Sequence, residues 1–207
     1  ESVLNSLDFQ WYRGQHIVVA GESGAGKSTL AALLLGFVQP QAGEMLFDDT
    51  GCVWVQGRLN ASPFGYIPQH PTLFDRTLRE NLVIGRTDIE DEQLILVLKK
   101  VGLDAWFETL DAGLDTRLGE SGIGLSGGQI QLLALARVLI LQPAFLILDE
   151  PTASLDVHNE ARVHEILKNE MGDCGVLMIA HRKKTIQEAK ILYRLEQGRL
   201  HLIRGEA

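Results

Sequence analysis

The stretch Gly21-Glu22-Ser23-Gly24-Ala25-Gly26-Lys27-Ser28 decides the fold of this chain. The apolar run 17–20 before it predicts a buried strand, and the apolar run 29–35 after it predicts a helix. In this strand–loop–helix context, the pattern G-x-x-x-x-G-K-S is a phosphate-binding loop. Its glycines let successive N–H groups point inward, and the new helix adds its positive N-terminus. The sequence therefore predicts a nucleotide site.

Two side chains of this loop supply the chemistry that a bound polyphosphate needs. Lys27 would reach the outer phosphates as a point charge, and Ser28 would offer its hydroxyl to Mg²⁺. A glycine-rich turn could match the pattern by chance, but the flanking strand and helix are the context that a phosphate-binding loop requires. The predicted nucleotide-binding residues of this segment are Gly21, Glu22, Ser23, Gly24, Ala25, Gly26, Lys27, Ser28 and Thr29.

Length and composition indicate one globular domain with room for a subdomain. The chain has 207 residues, of which 45% are hydrophobic and 22% are charged. Its formal net charge is −8, and its short basic cluster at 182–184 fits a solvated helix face better than a nucleic-acid surface. Cys52 and Cys174 make neither a metal-binding nor a redox spacing. No signal peptide opens the chain, and Arg137 and Gln142 interrupt its most apolar region, which therefore does not read as a membrane span.

The order of the apolar patterns predicts an α/β fold. Alternation over 3–11 predicts an opening strand, and continuous apolar runs at 145–148 and 176–180 predict strands inside a parallel sheet. A mostly helical block lies between about 74 and 142. Further strands are predicted at 43–47 and 64–69, a closing hairpin at 191–203, and helices at 88–100, 105–110, 129–141, 157–170 and 185–190.

Two acidic residues follow the apolar run at 145–148. Asp149, at a strand end, could hold Mg²⁺ through its water shell, and Glu150 could polarise a water against the γ-phosphate as a general base. On their own, these residues could equally be solvated acids that end a strand. Together with a phosphate-binding loop, they predict the metal and catalytic positions of a nucleotide hydrolase.

The segment Leu125-Ser126-Gly127-Gly128-Gln129 predicts a second surface that reads phosphate. Ser126 fits a helix N-cap, and the glycines expose backbone N–H groups at the helix N-terminus. A simple capped turn would explain the same residues. His181 and Gln69 each follow a predicted strand, so His181 could hydrogen-bond a γ-phosphate and the Gln69 amide oxygen could meet Mg²⁺ or water. Either residue, taken singly, could be structural.

In this combination and order, the motifs resemble the nucleotide-binding domain of ABC transporters. The matching parts are the phosphate loop at 21–28, Gln69 of the Q-loop, the signature at 125–129, Asp149 and Glu150 of the Walker B strand, Ser154-Leu155-Asp156 of the D-loop, and the switch histidine His181. The resemblance implies a P-loop NTPase fold of the RecA-like type. Its parallel-sheet core and antiparallel β-subdomain would occupy 1–73 and 143–207, with a helical subdomain inserted at 74–142.

The same resemblance implies ATP and Mg²⁺ as ligands and ATP hydrolysis as the activity. Two such domains would pair head to tail, so that each ATP lies between one chain's phosphate loop and the other chain's signature. Glu150 would be the catalytic base, and His181 would position the γ-phosphate and the water. The remaining residues carried over are Gln69 as a catalytic residue, Ser28, Gln69 and Asp149 as metal ligands, and Ser126, Gly127, Gly128, Gln129 and Asp156 as nucleotide contacts.

Three further segments look like ABC exporters. Thr116–Gly122 looks like the exporter segment whose Glu touches the membrane domain, and 68–74 and 80–82 are also exporter-like. In such proteins a six-helix membrane domain precedes this domain, so we expect a transmembrane partner N-terminal to Glu1 and a place on the cytoplasmic face of the plasma or inner membrane. The stretches 21–36 and 129–131 are similar to the bacterial cysteine/glutathione exporters needed for cytochrome bd assembly.

The sequence also departs from the family pattern. Ile130 and Leu132 stand where many members carry Arg, and the stretch 51–63 fits the usual β-subdomain poorly. The aromatic residue that stacks on adenine is expected before Glu1, because Trp11 and Tyr12 lie on the other side of the predicted opening strand.

Two other functions stay open from the sequence. One is a soluble ABC ATPase that acts on nucleic acid or the ribosome, although the acidic charge and the absence of heptads argue against it. The other is a module that senses ATP without turnover, although Glu150 and His181 are both present. The intact motifs fit a homodimer and a heterodimer alike, and no nucleic-acid partner is expected.

Overall fold

The computed structural model describes residues 3–43, 45, 54–55, 58–59, 64–86, 88–120, 122–151, 155 and 157–205. Its strands are β1 His16–Ala20, β2 Trp54–Val55, β3 Arg58–Leu59, β4 Phe64–Ile67, β5 Phe145–Asp149, β6 Gly175–Ile179, β7 Ile191–Glu196 and β8 Arg199–Arg204. Its α-helices are α1 Lys27–Leu34, α2 Leu78–Val83, α3 Asp91–Val101, α4 Asp104–Phe107, α5 Gly127–Leu141, α6 Val157–Glu170 and α7 Lys183–Glu188.

The chain divides into two compact units. The sheet unit comprises Glu1–Tyr66, Pro143–Glu150 and Asp173–Ala207, and the helical unit comprises Ile67–Gln142 and Pro151–Gly172. Each unit is built from stretches that are discontinuous in sequence.

Six strands form the sheet of the sheet unit, in the order β4-β5-β6-β1-β7-β8. β1 lies between β6 and β7 and is parallel to both, so that Ile17 is opposite Leu177 and Ile191. β5 is parallel to β6, whereas β8 returns antiparallel along β7. The short strands β2 and β3 form a separate antiparallel pair. This mixed arrangement confirms the predicted α/β class with a parallel core and additional antiparallel strands.

The central strands are buried along nearly their whole length. All five residues of β6 are buried, and Ile17, Ile147 and Leu177 are at most 1% exposed. Burying one such side chain fully contributes about 1.5–3 kcal/mol to folding. Strands that are covered on both faces require continuous apolar runs, which is why these segments could be recognised from sequence.

The predicted opening strand at 3–11 is wrong, because the structure assigns no strand to these residues. The alternation does correspond to packing, since Leu7, Phe9 and Trp11 lie half-buried against the sheet core. The backbone N–H of Asn5 donates to the Gly198 carbonyl at 2.7 Å. An alternating pattern therefore predicted which side chains face the core, but not whether the backbone pairs in a ladder.

The helical unit is organised around α5. α2 and α3 both pack against α5, and α3 also packs against α6. On α3, Leu94, Leu98 and Val101 are fully buried, at the spacing that places them on one helix face. α5 carries nine consecutive buried residues, from Gln131 to Leu139. A helix that is buried on all sides is a core helix of its unit.

Several predicted segments lie outside the described residues. They include most of 43–47 and of 51–63, together with Ser154 and Asp156 of the predicted D-loop. Among the helices that the structure describes, none combines the length and the apolar character needed to span a bilayer.

Candidate nucleotide site

The loop between β1 and α1 adopts a conformation that strongly favours glycine at two positions. Gly24 has φ 80° and Gly26 has φ 103°, both in the left-handed region. Gly26 is the N-cap of α1, so the first N–H groups of the helix open directly onto the loop. A Cβ on Gly21 would lie 2.6 Å from the Leu195 carbonyl oxygen, so position 21 also requires glycine. The loop thus offers backbone N–H groups and a helix N-terminus to an anion.

Lys27 is folded back over this loop. Its Nζ donates hydrogen bonds to the Gly21 carbonyl at 2.9 Å and to the Glu22 carbonyl at 2.6 Å, and the residue is only 7% exposed. Burial lowers the pKa of Lys27 from its usual value, while the nearby carboxylates of Glu150 and Asp149 oppose that shift. Its neighbour Ser28 is exposed, as a hydroxyl that meets a bound ion must be.

Asp149 is the last residue of β5 and is 9% exposed. Burial raises the pKa of the Asp149 carboxyl, and the adjacent Glu150 raises it further, while Lys27 and His181 act in the opposite direction. Burial, together with the charge of Asp149, also raises the pKa of the Tyr66 hydroxyl on β4. Tyr66 was not predicted as a site residue, because an aromatic residue in a strand reads as core.

Glu150 leaves the sheet in a backbone conformation that is uncommon for a residue with a side chain. Its φ is 49°, and its N–H donates to the Ile179 carbonyl of β6 at 3.1 Å. Its carboxylate Oε1 lies 3.0 Å from Nε2 of His181. Because β6 is placed between β5 and β1, the carboxyl ends of these parallel strands meet at one edge. The structure therefore brings together Lys27, Asp149, Glu150 and His181.

The predicted signature segment begins α5, as expected from Ser126. Ser126 is the N-cap, and its Oγ accepts from the Gln129 N–H at 3.3 Å. In return, the Gln129 Oε1 accepts from the Ser126 N–H at 2.9 Å, which completes a capping box. The two glycines between them, Gly127 and Gly128, form the first helical turn. The prediction of a capped helix start is confirmed, and the helix begins two residues before the predicted Gln129.

Two predicted site residues remain, Gln69 and Asp156. Gln69 is exposed in a bend just after β4 and belongs, like Ser126, to the helical unit. Asp156 is outside the described residues. Trp11 is packed between Phe64 and Phe145, with ring centroids 6.0 Å and 4.8 Å away, and is therefore committed to the core.

The donors at the sheet edge fit Mg²⁺ carried by a nucleotide. A hydroxyl at Ser28 and a carboxylate at Asp149 are hard oxygen donors, which Mg²⁺ prefers, and such sites use one or two protein oxygens alongside phosphate oxygens and water. Within the described part of the chain, no group of three or more His, Cys, Asp or Glu could hold a metal by itself. The two oxygen donors at Ser28 and Asp149 suit an ion that arrives with a polyphosphate.

The sheet order and the loop–helix unit define a P-loop NTPase domain. The family described as ABC transporter matches residues 4–153, and the chain belongs to this family. Its fold is that of the ABC ATPase domain.

Curated relatives and a solved structure extend this assignment. The ATP-dependent lipid A-core flippase of Coxiella burnetii (strain RSA 493 / Nine Mile phase I) is 38% identical over 97% of this chain and 34% of its own length. The glutathione/L-cysteine transport system ATP-binding/permease protein CydC of Escherichia coli (strain K12) is 35% identical over 97% of this chain and 35% of its own length. The mitochondrial potassium channel ATP-binding subunit of Xenopus tropicalis is 37% identical over 96% of this chain.

A solved bacterial Atm1-family ABC exporter with ATP bound superposes with a TM-score of 0.83 and 32% identity, over 96% of this chain and 35% of that one. The chain thus spans about a third of the length of these proteins. The chain is similar to the nucleotide-binding domain of ABC exporters. The matches support the exporter interpretation and not the alternative of a soluble ATPase acting on nucleic acid.

Proposed function

We propose that this chain is the ATP-hydrolysing motor domain of an ABC exporter. The observation that carries the proposal is the contact between Glu150 and His181, 3.0 Å apart at the same sheet edge as Asp149 and Lys27. A carboxylate that can accept a proton and an imidazole that can hold it in place are what activation of a water requires. A module that only senses ATP would not need this pair.

Each group at the edge has a distinct proposed role. The N–H groups of the loop and the Lys27 ammonium bind the phosphates of ATP, and Ser28 and Asp149 hold Mg²⁺. Mg²⁺ neutralises developing charge on the phosphate oxygens when bound. Glu150 takes a proton from the attacking water, and His181 fixes the Glu150 carboxylate and the γ-phosphate. Gln69, Ser126 to Gln129 and Asp156 complete the proposed site.

We further propose a head-to-tail pair of such domains, coupled to a transmembrane domain at the cytoplasmic face of the membrane. The capped start of α5 supports this pairing, because Ser126 and its glycines present N–H groups at a helix N-terminus in the helical unit. A second chain's phosphate loop would supply the ATP that this surface reads. ATP binding would close the pair, and hydrolysis would reopen it.

Cargo selection is proposed to lie outside this chain. The flippase and the glutathione/L-cysteine transporter are named for chemically different cargo, yet they are 38% and 35% identical to this chain, each over 97% of it. Sequence identity in this domain therefore does not depend on the chemistry of the transported molecule.

The test is ATP hydrolysis by the complete gene product and by its Glu150→Gln variant. Loss of a general base lowers the rate by about 10²–10⁴-fold, so the variant should be nearly inactive while still binding Mg-ATP. The isolated Glu150→Gln domain should shift from monomer to dimer on adding Mg-ATP, measured as its mass in solution.

The matched control is Glu196→Gln, which makes the same chemical change at an exposed position at the end of β7. It should leave hydrolysis unchanged. Full activity of Glu150→Gln would disprove the catalytic assignment, and a domain that stays monomeric at saturating Mg-ATP would contradict self-pairing.

A further inference from the structure

A buried cation that is not among the predicted site residues lies in the helical unit. Arg137 is on α5, ten residues after Gly127, and is 8% exposed. Burial lowers its pKa to about 10, so the guanidinium still carries its charge at neutral pH. A buried charge is costly unless it is fully hydrogen-bonded, so its partners indicate what it holds in place.

The partners of Arg137 lie in the chain that follows Gln69. Its Nη1 donates to the Thr72 carbonyl at 2.8 Å, and its Nε donates to the Asn81 carbonyl at 2.7 Å. Its Nη2 donates to the Asn81 Oδ1 at 2.8 Å, and the guanidinium lies 5.3 Å from the centroid of the Phe74 ring. One side chain of α5 thus holds the backbone three residues after Gln69.

Asn81 extends the same contacts along this segment. It is 0% exposed, and its Oδ1 also accepts from the Phe74 N–H at 3.0 Å. Its Nδ2 donates to the carbonyls of Phe74 at 2.9 Å and Thr77 at 3.0 Å. The chain from Thr72 to Thr77 is therefore wrapped around one buried amide, which is itself bonded to Arg137.

We propose that Arg137 and Asn81 are positioning residues that clamp the chain leaving Gln69 onto α5, the helix whose N-cap is Ser126. This inference rests on the proposed function, in which Gln69 and Ser126 both serve ATP hydrolysis. Because of these contacts, the segment after Gln69 and α5 move together. Loss of the clamp frees Gln69 to sample unproductive positions without touching the phosphate loop.

The test uses the complete gene product carrying Arg137→Lys. A lysine carries its donors on one nitrogen and cannot reproduce the planar fork by which three nitrogens of Arg137 reach Thr72 and Asn81. Hydrogen exchange at the Phe74 amide, measured without nucleotide, should speed up about tenfold, which corresponds to losing one net hydrogen bond. The kcat of ATP hydrolysis should fall about tenfold, with the KM for ATP essentially unchanged, because the phosphate loop is intact.

Asn81→Asp provides a second variant. It keeps an acceptor oxygen for the Phe74 N–H and Arg137, but it replaces the Nδ2 donor by an oxygen that faces the carbonyls of Phe74 and Thr77. It should therefore also speed up exchange at the Phe74 amide and lower kcat, with the KM for ATP essentially unchanged.

Two controls separate positioning from general stability. Arg86→Lys makes the same substitution at an arginine that also donates to an α5 carbonyl, that of Ile140 at 3.3 Å, at the far end of the helix. Leu98→Ala removes core volume from α3 and lowers stability. Neither should change exchange at Phe74 selectively or lower kcat at temperatures where the protein is folded.

The inference is overturned if Arg137→Lys leaves the exchange of Phe74 unchanged, or lowers kcat no more than Leu98→Ala does. If the parent protein hydrolyses no ATP, the proposed function fails instead. The exchange measurement still decides the clamp in that case, because it requires no turnover.

Discussion

Asp149 and Glu150 are neighbours in the chain but are held in different ways. Asp149 is buried at the end of β5, whereas Glu150 turns away from the sheet with φ 49° and meets His181. Both arrangements cost folding free energy, one by burying charge and one by straining the backbone. Two adjacent residues that both lower the stability of the fold are typical of a functional site and not of a residue pair selected for packing.

The folding free energy lost by burying the Asp149 carboxylate can be measured from the pH dependence of stability. Its raised pKa means that the folded protein binds a proton more tightly than the unfolded chain, so stability falls as pH rises from the ordinary value of 3.8 through the folded-state pKa. Asp149→Asn should therefore have a higher Tm than the parent at pH 7, with the difference shrinking as pH is lowered towards about 4, while hydrolysis is lost. Thermal unfolding across this range checks it, and Asp111→Asn at an exposed carboxyl is the control. A lower Tm at pH 7 would show that Lys27 and His181 stabilise the carboxylate more than burial destabilises it.

The effect of backbone strain at Glu150 on stability can be separated from the effect of losing its side chain. Alanine keeps the penalty of a left-handed conformation, and glycine does not, so Glu150→Gly should be more stable than Glu150→Ala by about 1 kcal/mol. Urea unfolding of the two variants gives the difference directly. If alanine proves as stable as glycine, the positive φ is not a source of strain.

Three helices of the helical unit begin with a capping box, and two of them, α3 and α5, close it with a glutamine. Gln129 accepts from the N–H of Ser126 at 2.9 Å, and Gln93 accepts from the N–H of Glu90 at 3.2 Å, so each glutamine closes the first turn of its helix. The two bonds are alike, but only the first lies in the proposed signature. They therefore form a natural pair for separating stability from function.

Gln129→Ala and Gln93→Ala should each lower the free energy of unfolding by about 0.5–1.5 kcal/mol, the net value of one hydrogen bond. Only Gln129→Ala should also lower ATP hydrolysis, because it loosens the N–H groups that are proposed to meet ATP. Chemical denaturation and steady-state ATPase assays on both variants decide this. An equal loss of activity would mean that the start of α5 has no special role.

How far the sequence predicts this structure depends on whether a signal is local. The phosphate loop, the strands β5 and β6, and the cap at Ser126 were predictable, because periodicity and capping are written within a few residues. The strand predicted at 3–11 is absent from the structure. The prediction failed because an alternating pattern indicates which side chains are buried and not whether the backbone pairs with another strand. Arg137 read only as an interruption of an apolar run, because its partners Asn81 and Thr72 lie 56 and 65 positions away.

The proposed site residues are distributed over both units of the chain. The sheet unit contains the phosphate loop, Asp149, Glu150 and His181, and the helical unit contains Gln69 and the signature. A nucleotide that is bound only by the phosphate loop should stabilise the sheet unit more than the helical unit. Linkage gives about 2.7 kcal/mol at a ligand concentration one hundred times its Kd.

Mg-ADP, which cannot be hydrolysed at a γ-phosphate, should slow hydrogen exchange in β1, β5 and β6 far more than in α3. The control is Lys27→Ala, which should remove the effect while leaving the exchange pattern without nucleotide similar. Uniform slowing in both units would show that they unfold as one cooperative body.

The strand order has a consequence for how the protein is made. β1 is synthesised before both of its neighbours in the sheet, because Ile17 lies opposite Leu177 and Ile191. At about 5–20 residues per second, the ribosome needs roughly 10–30 s to supply the first of them. During that interval the strand that leads into the phosphate loop has no neighbour in its sheet, whereas the contiguous stretch Ile67–Gln142 has already emerged. The strand that leads into the phosphate loop therefore gains its sheet neighbours only after the chain has been synthesised as far as β6 and β7.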